Sequence, residues 1–423
     1  MIVAISLFLA TYVLMLVFSK YRKYIALGSG IIFIVSGMLP ITKIFSSIDF
    51  NVILMIAGTM GLVALFIESN MPSLLADMIM KRVPTVKWAA VALALFAGII
   101  SAFVDNVATV LMIAPIALAI CKKLKTNPIP FIIAIAVSSN LQGAATLVGD
   151  TTAIMLGSAM DMSFVDFFWF KGKPSIFFAV ELGAVIAAVI LLFIFRKENG
   201  KITGFDEKTE VKDYAPTYLL CGALVLLILA SFIPNKPSTT NGLICCGLLV
   251  LGLIIKCVRE KKIKSAVPVL AAIDFETIGI LLGLFLMIGG IAEQGVIAKI
   301  ADLFAKVGSS NEFLLYTVIV WASVAISAFV DNIPYVATMI PVIGGIASGM
   351  GIDPTPLYFG LLSGATLGGN CTPIGASANI TGIGILKKNG YEVKNSDFFK
   401  IGIPFTLAAI IPAYIYVWLL YGI

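Results

Sequence analysis

The sequence predicts an all-α integral membrane protein made of two inverted-topology repeats of five spans each, with one re-entrant hairpin and one broken helix per repeat. Three observations predict it. Of the 423 residues, 60% are hydrophobic and 12% charged, and mean hydropathy is +1.06, which excludes a soluble globular domain. The hexapeptide Ser-Ala-Phe-Val-Asp-Asn occurs at 101–106 and again at 327–332, both times inside an apolar stretch and both times with a proline nine residues past its Asn (Pro115, Pro341). The two copies also sit within a longer self-similarity. A shift of 226 carries Asp105 to Asp331, Thr146 to Thr372, Gly149 to Gly375 and Ile154 to Ile380. Upstream, a shift of 225 carries Ile48-Asp49-Phe50 to Ile273-Asp274-Phe275, Glu68 to Glu293 and Asp77 to Asp302. The first repeat is therefore read as 1–200, a charged cytoplasmic linker as 201–216, and the second repeat as 217–423. Internal repeats of this length point to a transporter.

Windows apolar enough to cross a hydrocarbon core of about 30 Å fall, in chain order, at 2–18, 25–41, 50–69, 130–158, 175–195, 217–233, 241–257, 274–293, 357–386 and 401–421. The first is read as a retained span, because Lys20, Arg22 and Lys23 follow it rather than precede it. The stretches at about 88–121 and 313–346 differ. As one straight helix the 34 residues from Trp88 to Cys121 would extend about 51 Å, too long for one crossing and short for two. Basic residues flank both ends and Asp105-Asn106 lies at the middle, which predicts a hairpin that leaves and returns on one side with the polar pair at its tip. Threading ten spans and two hairpins puts 23 of the 29 lysines and arginines on one side. That side is assigned to the cytoplasm, with both termini outside. Five crossings per repeat invert the second copy, so the first hairpin opens to the cytoplasm and the second to the exterior.

A carboxylate at membrane depth costs roughly 2.5–3.5 kcal/mol, so its repetition in one motif marks a functional site. After each hairpin comes a span interrupted by small and polar residues: Ser138 to Asp150 in the first repeat, and Gly364 to Asn379 in the second. Glycine costs roughly 1 kcal/mol and proline roughly 3 in a helix, so both spans are expected to unwind. Unwound backbone inside a membrane offers carbonyls to cations and amides to anions. The expected composite site comprises Asp105, Asn106, Thr109, Asn140, Gly143, Thr146, Gly149 and Asp150 from the first repeat. The second contributes Asp331, Asn332, Gly369, Asn370, Thr372, Gly375, Ser377 and Asn379. Sodium is a possible ligand of Asp105, Asn106, Asp331 and Asn332. The plainer readings are hairpin capping for the Asp-Asn pairs, close helix packing for the glycines, and intrahelical hydroxyls for Thr109, Thr146 and Thr372. Glu68, Glu293, Asp49 and Asp274 are read as structural residues at span ends. Glu181 is a proton-path alternative, and Cys371 is a small packing residue or a soft ligand.

Six cysteines without a CxxC pair and no histidine give little support to zinc chemistry, disulfides or histidine catalysis. No enzyme, cofactor or nucleic-acid partner is expected; the net charge of +6 reflects topology. Every basic residue is assigned to a loop or a span end, so no fixed cation is expected at the midplane. That balance favours cation exchange, a neutral solute exchanged for protons, or an anion carried with sodium.

The segments SAFVDNVATVLMIAPI at 101–116, SAFVDNIPYVATMIPV at 327–342 and GNCTPIGASANITGIGI at 369–385 resemble the ion transporter superfamily. The likeness is to its branch of arsenite permeases, NhaD-type sodium–proton antiporters and the melanosomal P protein, which carries a citrate transporter-like domain. It runs over about 48–200 and 273–423. It implies a scaffold and an elevator-like moving domain containing both hairpins and the spans at 130–158, 175–195, 357–386 and 401–421, commonly in a homodimer. Two motifs depart from the wider pattern. Dicarboxylate and citrate carriers have a Ser-Asn-Thr tip where this chain has Asp105-Asn106-Val107 and Asp331-Asn332-Ile333. After the first break P-protein-like sequences read Gly-Asp-Pro-Pro-Asn, where this chain has Gly149-Asp150-Thr151-Thr152-Ala153. The resemblance implies a secondary-active carrier in the cytoplasmic membrane, of arsenite permease type, moving a small inorganic solute or anion with H+ or Na+. The alternatives are sodium–proton antiport, sodium-coupled carboxylate transport, and a channel-like pathway.

Overall fold

The computed structural model describes residues 1–202, 209–299 and 311–422. Part of the expected linker (203–208), Asp302 and Lys306 lie outside the described residues. The chain is almost entirely helical. It opens with α1 (Ile2–Val17), α2 (Arg22–Val35), the short α3 (Ile44–Ser47), α4 (Phe50–Glu68) and α5 (Met71–Met80). A helix pair follows, α6 (Val86–Ser101) and α7 (Asn106–Leu124), then α8 (Pro128–Gly143), α9 (Thr151–Ala159) and α10 (Ile176–Ile194). Next come α11 (Ala215–Ser231), α12 (Thr240–Glu260), the short α13 (Ala266–Ala271) and α14 (Phe275–Glu293). A second pair, α15 (Glu312–Ser327) and α16 (Asn332–Met350), leads into α17 (Thr355–Gly368), α18 (Ser377–Lys388) and α19 (Asn395–Tyr421).

Among the described residues, seven helices are long and apolar enough to cross a membrane: α4, α7, α10 with its continuation to Lys197, α12, α14, α16 and α19. The chain is a multi-pass membrane protein. Its outward side chains fit that setting, since the apolar Leu9, Val185, Phe193, Ile254 and Leu419 are exposed on the helix bundle. The expected spans at 130–158 and 357–386 are each two helices, joined by a non-helical link in the first and by a 3-10 turn (Gly369–Cys371) and irregular chain in the second, so neither is one long helix. The window at 25–41 is only partly helical. Hydropathy stays high past Val35, but Gly37 takes a left-handed φ of 73° and Pro40 follows, which ends α2 early.

Two packing modes organise the helices. α2 lies along α14, and α12 lies along α4. In the rest of the bundle α6 packs on α8, α15 on α17, and α10 on α19, which also touches α8 and α17. Each hairpin's first arm is thus seated on the broken helix that follows it. The arms run longer than expected, since α7 and α16 have 19 residues each. Outside the bundle a two-stranded ribbon, β1 (Trp169–Phe170) and β2 (Lys173–Pro174), covers the end of α19. There the Tyr421 hydroxyl reaches the Phe170 and Pro174 carbonyls. Lys171 at its turn pairs with Asp353 at 2.8 Å. Burial pushes the Asp353 carboxyl up, but the Lys171 and Thr355 hydrogen bonds outweigh it and hold the group below its usual value.

Candidate functional site

Each repeated hexapeptide ends a helix, turns, and starts the next. Asp105 is the N-cap of α7, where its Oδ2 accepts the amides of Val107 at 2.9 Å and Ala108 at 3.1 Å. Asp331 is the N-cap of α16, where its Oδ1 accepts the Ile333 amide at 3.3 Å. The capping reading is therefore correct for both, and it occupies one oxygen of each carboxylate. The second oxygen differs. In Asp105 it accepts nothing among the described residues. In Asp331 it accepts Ser377 Oγ at 3.1 Å and lies 3.6 Å from the Arg22 guanidinium.

The breaks lie against these tips. Thr146 donates its hydroxyl to the Ala102 carbonyl in the first tip, and Thr372 donates to the Ala328 carbonyl in the second. Gly149 leaves no room for a side chain. A β-carbon there would fall 2.5 Å from the Gly143 oxygen and 2.7 Å from the Ser101 oxygen. At Gly375 the corresponding distances are 2.6 Å to Gly369 and 2.8 Å to Ser327. The same contacts thus recur at the 226-residue shift. Asn379 stiffens the second break from within α18, donating to the carbonyls of Gly369 at 3.0 Å and Thr372 at 3.1 Å.

Asn140 and Asn370 join the two broken helices at the centre of the bundle. Asn140 Nδ2 donates to the Thr366 carbonyl (2.6 Å) and Asn370 Oδ1 (3.1 Å), while Asn370 Nδ2 donates to the Val137 carbonyl (2.9 Å). Asn140 Oδ1 also accepts from Asn106 Nδ2 at 2.9 Å, which ties in the first tip. Both asparagines are fully buried, so these bonds are the only way to offset their desolvation.

Beside this knot lies a cavity of about 140 Å³. Its lining includes Met60 to Ile67 on one face of α4, Asp105, Asn106, Asp150, Thr151, Asp274, Thr277, Asn332, Ile333 and Ser377. It runs from the exposed Ala272 and Asp274 inward to Asp150, which is 3% exposed. Asp150 Oδ2 accepts Thr152 Oγ1 at 3.0 Å and Asn332 Nδ2 at 3.4 Å. Five helix N-termini, those of α7, α9, α14, α16 and α18, meet here. Their dipoles place partial positive charge on the cavity wall, and Asp105, Asp150 and Asp274 bring negative charge to the same wall. Among the described residues no lysine or arginine lines it. No cluster of three metal-ligating acids, cysteines or histidines occurs among the described residues.

Of the sixteen sequence-derived residues, the cavity collects Asp105, Asn106, Asp150, Asn332 and Ser377. Asp331 lies one wall away, in a second cavity with Arg22. Asn140, Asn370, Asn379, Thr146, Thr372 and the four glycines hold the tips and breaks in place. Thr109 is fully buried, 3.5 Å from the Val104 carbonyl, and stands apart from both cavities. Glu181 and Cys371 also lie outside both linings. Glu68 pairs with Lys256, and Asp49 caps α4 while accepting Ser158, in keeping with structural roles. Asp274, at a span end as expected, caps α14 by accepting the Glu276 and Thr277 amides at 3.0 Å each, and it lines the cavity as well. Arg22 departs from its expected place in a loop and supplies a fixed cation to a hairpin tip.

A family profile described as "Citrate transporter" matches residues 12–364 and again 262–423. An uncharacterized transporter of Mycobacterium tuberculosis is 30% identical over 99% of this chain and 98% of its own length. The human P protein is 27% identical over 86% of this chain, which spans 52% of that protein. Among solved structures the YdaH transporter of Alcanivorax borkumensis superposes with a TM-score of 0.63. It covers 89% of this chain and 87% of its own at 13% identity, a likeness of fold.

Proposed function

The chain belongs to the citrate transporter family of the ion transporter superfamily, and on that premise we propose a secondary-active carrier that moves a small inorganic solute or anion with H+ or Na+ by alternating access. The observation that carries this reading is the shared cavity, where five helix N-termini and the carboxylates of Asp105 and Asp150 meet without a fixed cation. A bare anion entering alone would meet like charge. A cation or proton bound first at Asp105 and Asp150 removes that barrier. The N-terminus of α18 at Ser377, whose cap Ala376 carries no acid and whose neighbouring Asp331 is paired with Arg22, then offers amides to an anion.

The inverted-repeat topology supplies the movement. In this proposal the two tips enter from opposite leaflets, the Asn140–Asn370 knot makes both broken helices one moving body, and the α2–α14 and α4–α12 pairs form the scaffold of a homodimer. The termini lie outside the cytoplasmic membrane. With the basic loops cytoplasmic, the cavity mouth at Ala272 and Asp274 faces inward, so this conformation is the inward-open one. A second reading, sodium–proton antiport, is favoured by the same surplus of acids, since it needs no anion at all. Proteoliposomes with imposed pH and sodium gradients, loaded with arsenite, phosphate or citrate, test both. Asp105→Asn and Asp150→Asn are expected to uncouple solute flux from the gradients. Sodium-driven alkalinisation without any solute selects antiport. Normal coupling in both variants at every pH would remove the proposal.

A further inference from the structure

The two hairpin tips are alike in sequence and unlike in surroundings. Asp331 Oδ2 faces the guanidinium of Arg22, the first residue of α2, and accepts Ser377 Oγ; Oδ1 is taken by the Ile333 amide. Arg22 is itself held, its Nε donating to the Met15 carbonyl at 3.3 Å. The cavity around this pair is about 40 Å³, room for about one water at ~30 Å³ each. The remaining groups facing the pair are Thr277 on α14 and Tyr12 on α1, whose hydroxyl is bonded to the Pro334 carbonyl at 2.7 Å. Asp150 is the next acid, reached through Asn332. Asp331 therefore has a cation already, while Asp105 in its cavity of about 140 Å³ has none.

Packing shows that the difference is one of side chain rather than of backbone. A β-carbon on Gly58 would lie 2.6 Å from the Cys246 amide nitrogen, and one on the repeat-related Gly283 would lie 2.6 Å from the Leu27 nitrogen. The α4–α12 and α14–α2 contacts are thus equivalent, with Leu27 matching Cys246 at a shift of 219. That shift carries Arg22 to Asn241, an uncharged residue. Only one of the two equivalent helices brings a cation toward its tip.

We propose that Arg22 is a tethered cation that occupies the ion position at Asp331, so that one mobile cation binds per chain, at Asp105 and Asp150. This rests on the carrier reading above, with Arg22 acting as a positioning and stoichiometry-setting residue. A guanidinium keeps its charge at all accessible pH, so it satisfies Asp331 where sodium or a proton would otherwise be needed.

The test counts ions bound to the purified full chain in detergent. Labelled sodium at saturation is measured at pH 8, and proton uptake is measured by potentiometric titration in choline chloride. Arg22→Gln is expected to bind one more cation per chain than the wild type, as sodium or as a proton. Arg22→Gln with Asp331→Asn returns to the wild-type count, and Arg22→Lys keeps it. In the otherwise native chain Asp331→Asn leaves the count unchanged while Asp105→Asn lowers it, a comparison that does not depend on how Arg22→Gln folds. An unchanged count in folded Arg22→Gln, an extra ion that survives Asp331→Asn, or a count lowered by Asp331→Asn alone overturns the proposal. Loss of the Asp105 effect alone counts against the carrier reading and leaves the Arg22 comparison standing.

Discussion

Truncating Asn140 to alanine is the most direct probe of the central knot. The substitution leaves three groups without their partner: Asn106 Nδ2, Asn370 Oδ1 and the Thr366 carbonyl. Asn370 and Thr366 are fully buried and Asn106 is 5% exposed, so only water entering the truncated space replaces the lost bonds. At about 1–3 kcal/mol for each buried group left unsatisfied, the lower bound for three groups is about 3 kcal/mol. Asn106→Ala strands only Asn140 Oδ1, and the space it leaves opens on the cavity that Asn106 lines, so the expected loss is about 1 kcal/mol. In the Asn140→Ala background the Asn106 bond is already gone, and the second substitution adds almost nothing. The cycle should therefore show coupling of about 1 kcal/mol. Denaturant unfolding in mixed micelles measures all four proteins. A loss in Asn140→Ala no larger than that in Asn106→Ala, or a cycle that closes with no coupling, would refute the claim that one side chain joins both breaks and a tip.

Four other substitutions test the tip-to-break contact and the outer loops. Gly149→Ala and Gly375→Ala drive a methyl group against three backbone oxygens each, so both should lose about 1–3 kcal/mol and by similar amounts. Gly222→Ala in α11, where nothing lies within 4 Å, should be neutral or gain up to about 1 kcal/mol; equal thermal midpoints for the three would sink the packing account. Lys171→Met should destabilise by at most about 0.5 kcal/mol at neutral pH, because the Asp353 carboxylate is half exposed and screened. Asp353 is held below its usual value, so its contribution is present above the unfolded value near 3.9 and fades as pH falls through the folded one. The variant and wild type should therefore converge as the carboxylate protonates on acidification, and a gap that widens instead contradicts this assignment.

The parts of this fold readable from sequence are those in which a local anomaly breaks an apolar background. A repeated Asp-Asn in a hydrophobic run, and glycine and threonine at a fixed shift, announce tips and breaks, because burying such groups has a cost that only a built site offsets. What sequence could not give was which groups meet. Only the bond from Asn140 to the Thr366 carbonyl joins positions related by the 226-residue shift; those between Asn140 and Asn370 and from Asn370 to Val137 do not, and they appear only when the two broken helices lie side by side. Thr146 and Thr372 read from sequence as ion ligands or plain intrahelical hydroxyls, and neither reading names the tip carbonyls to which they donate.

Arg22 shows the limit most clearly. Counting basic residues by loop assumes that a charge next to a span end is solvated, and for 23 residues the count is a statement about sidedness, indifferent to any one member. A long guanidinium at the first residue of a helix reaches several ångströms back into the bundle. Whether it does so depends on a partner hundreds of residues away, and Asp331 is that partner. A repeat symmetric in its carboxylates is thereby made asymmetric in its charge, by a residue outside both motifs.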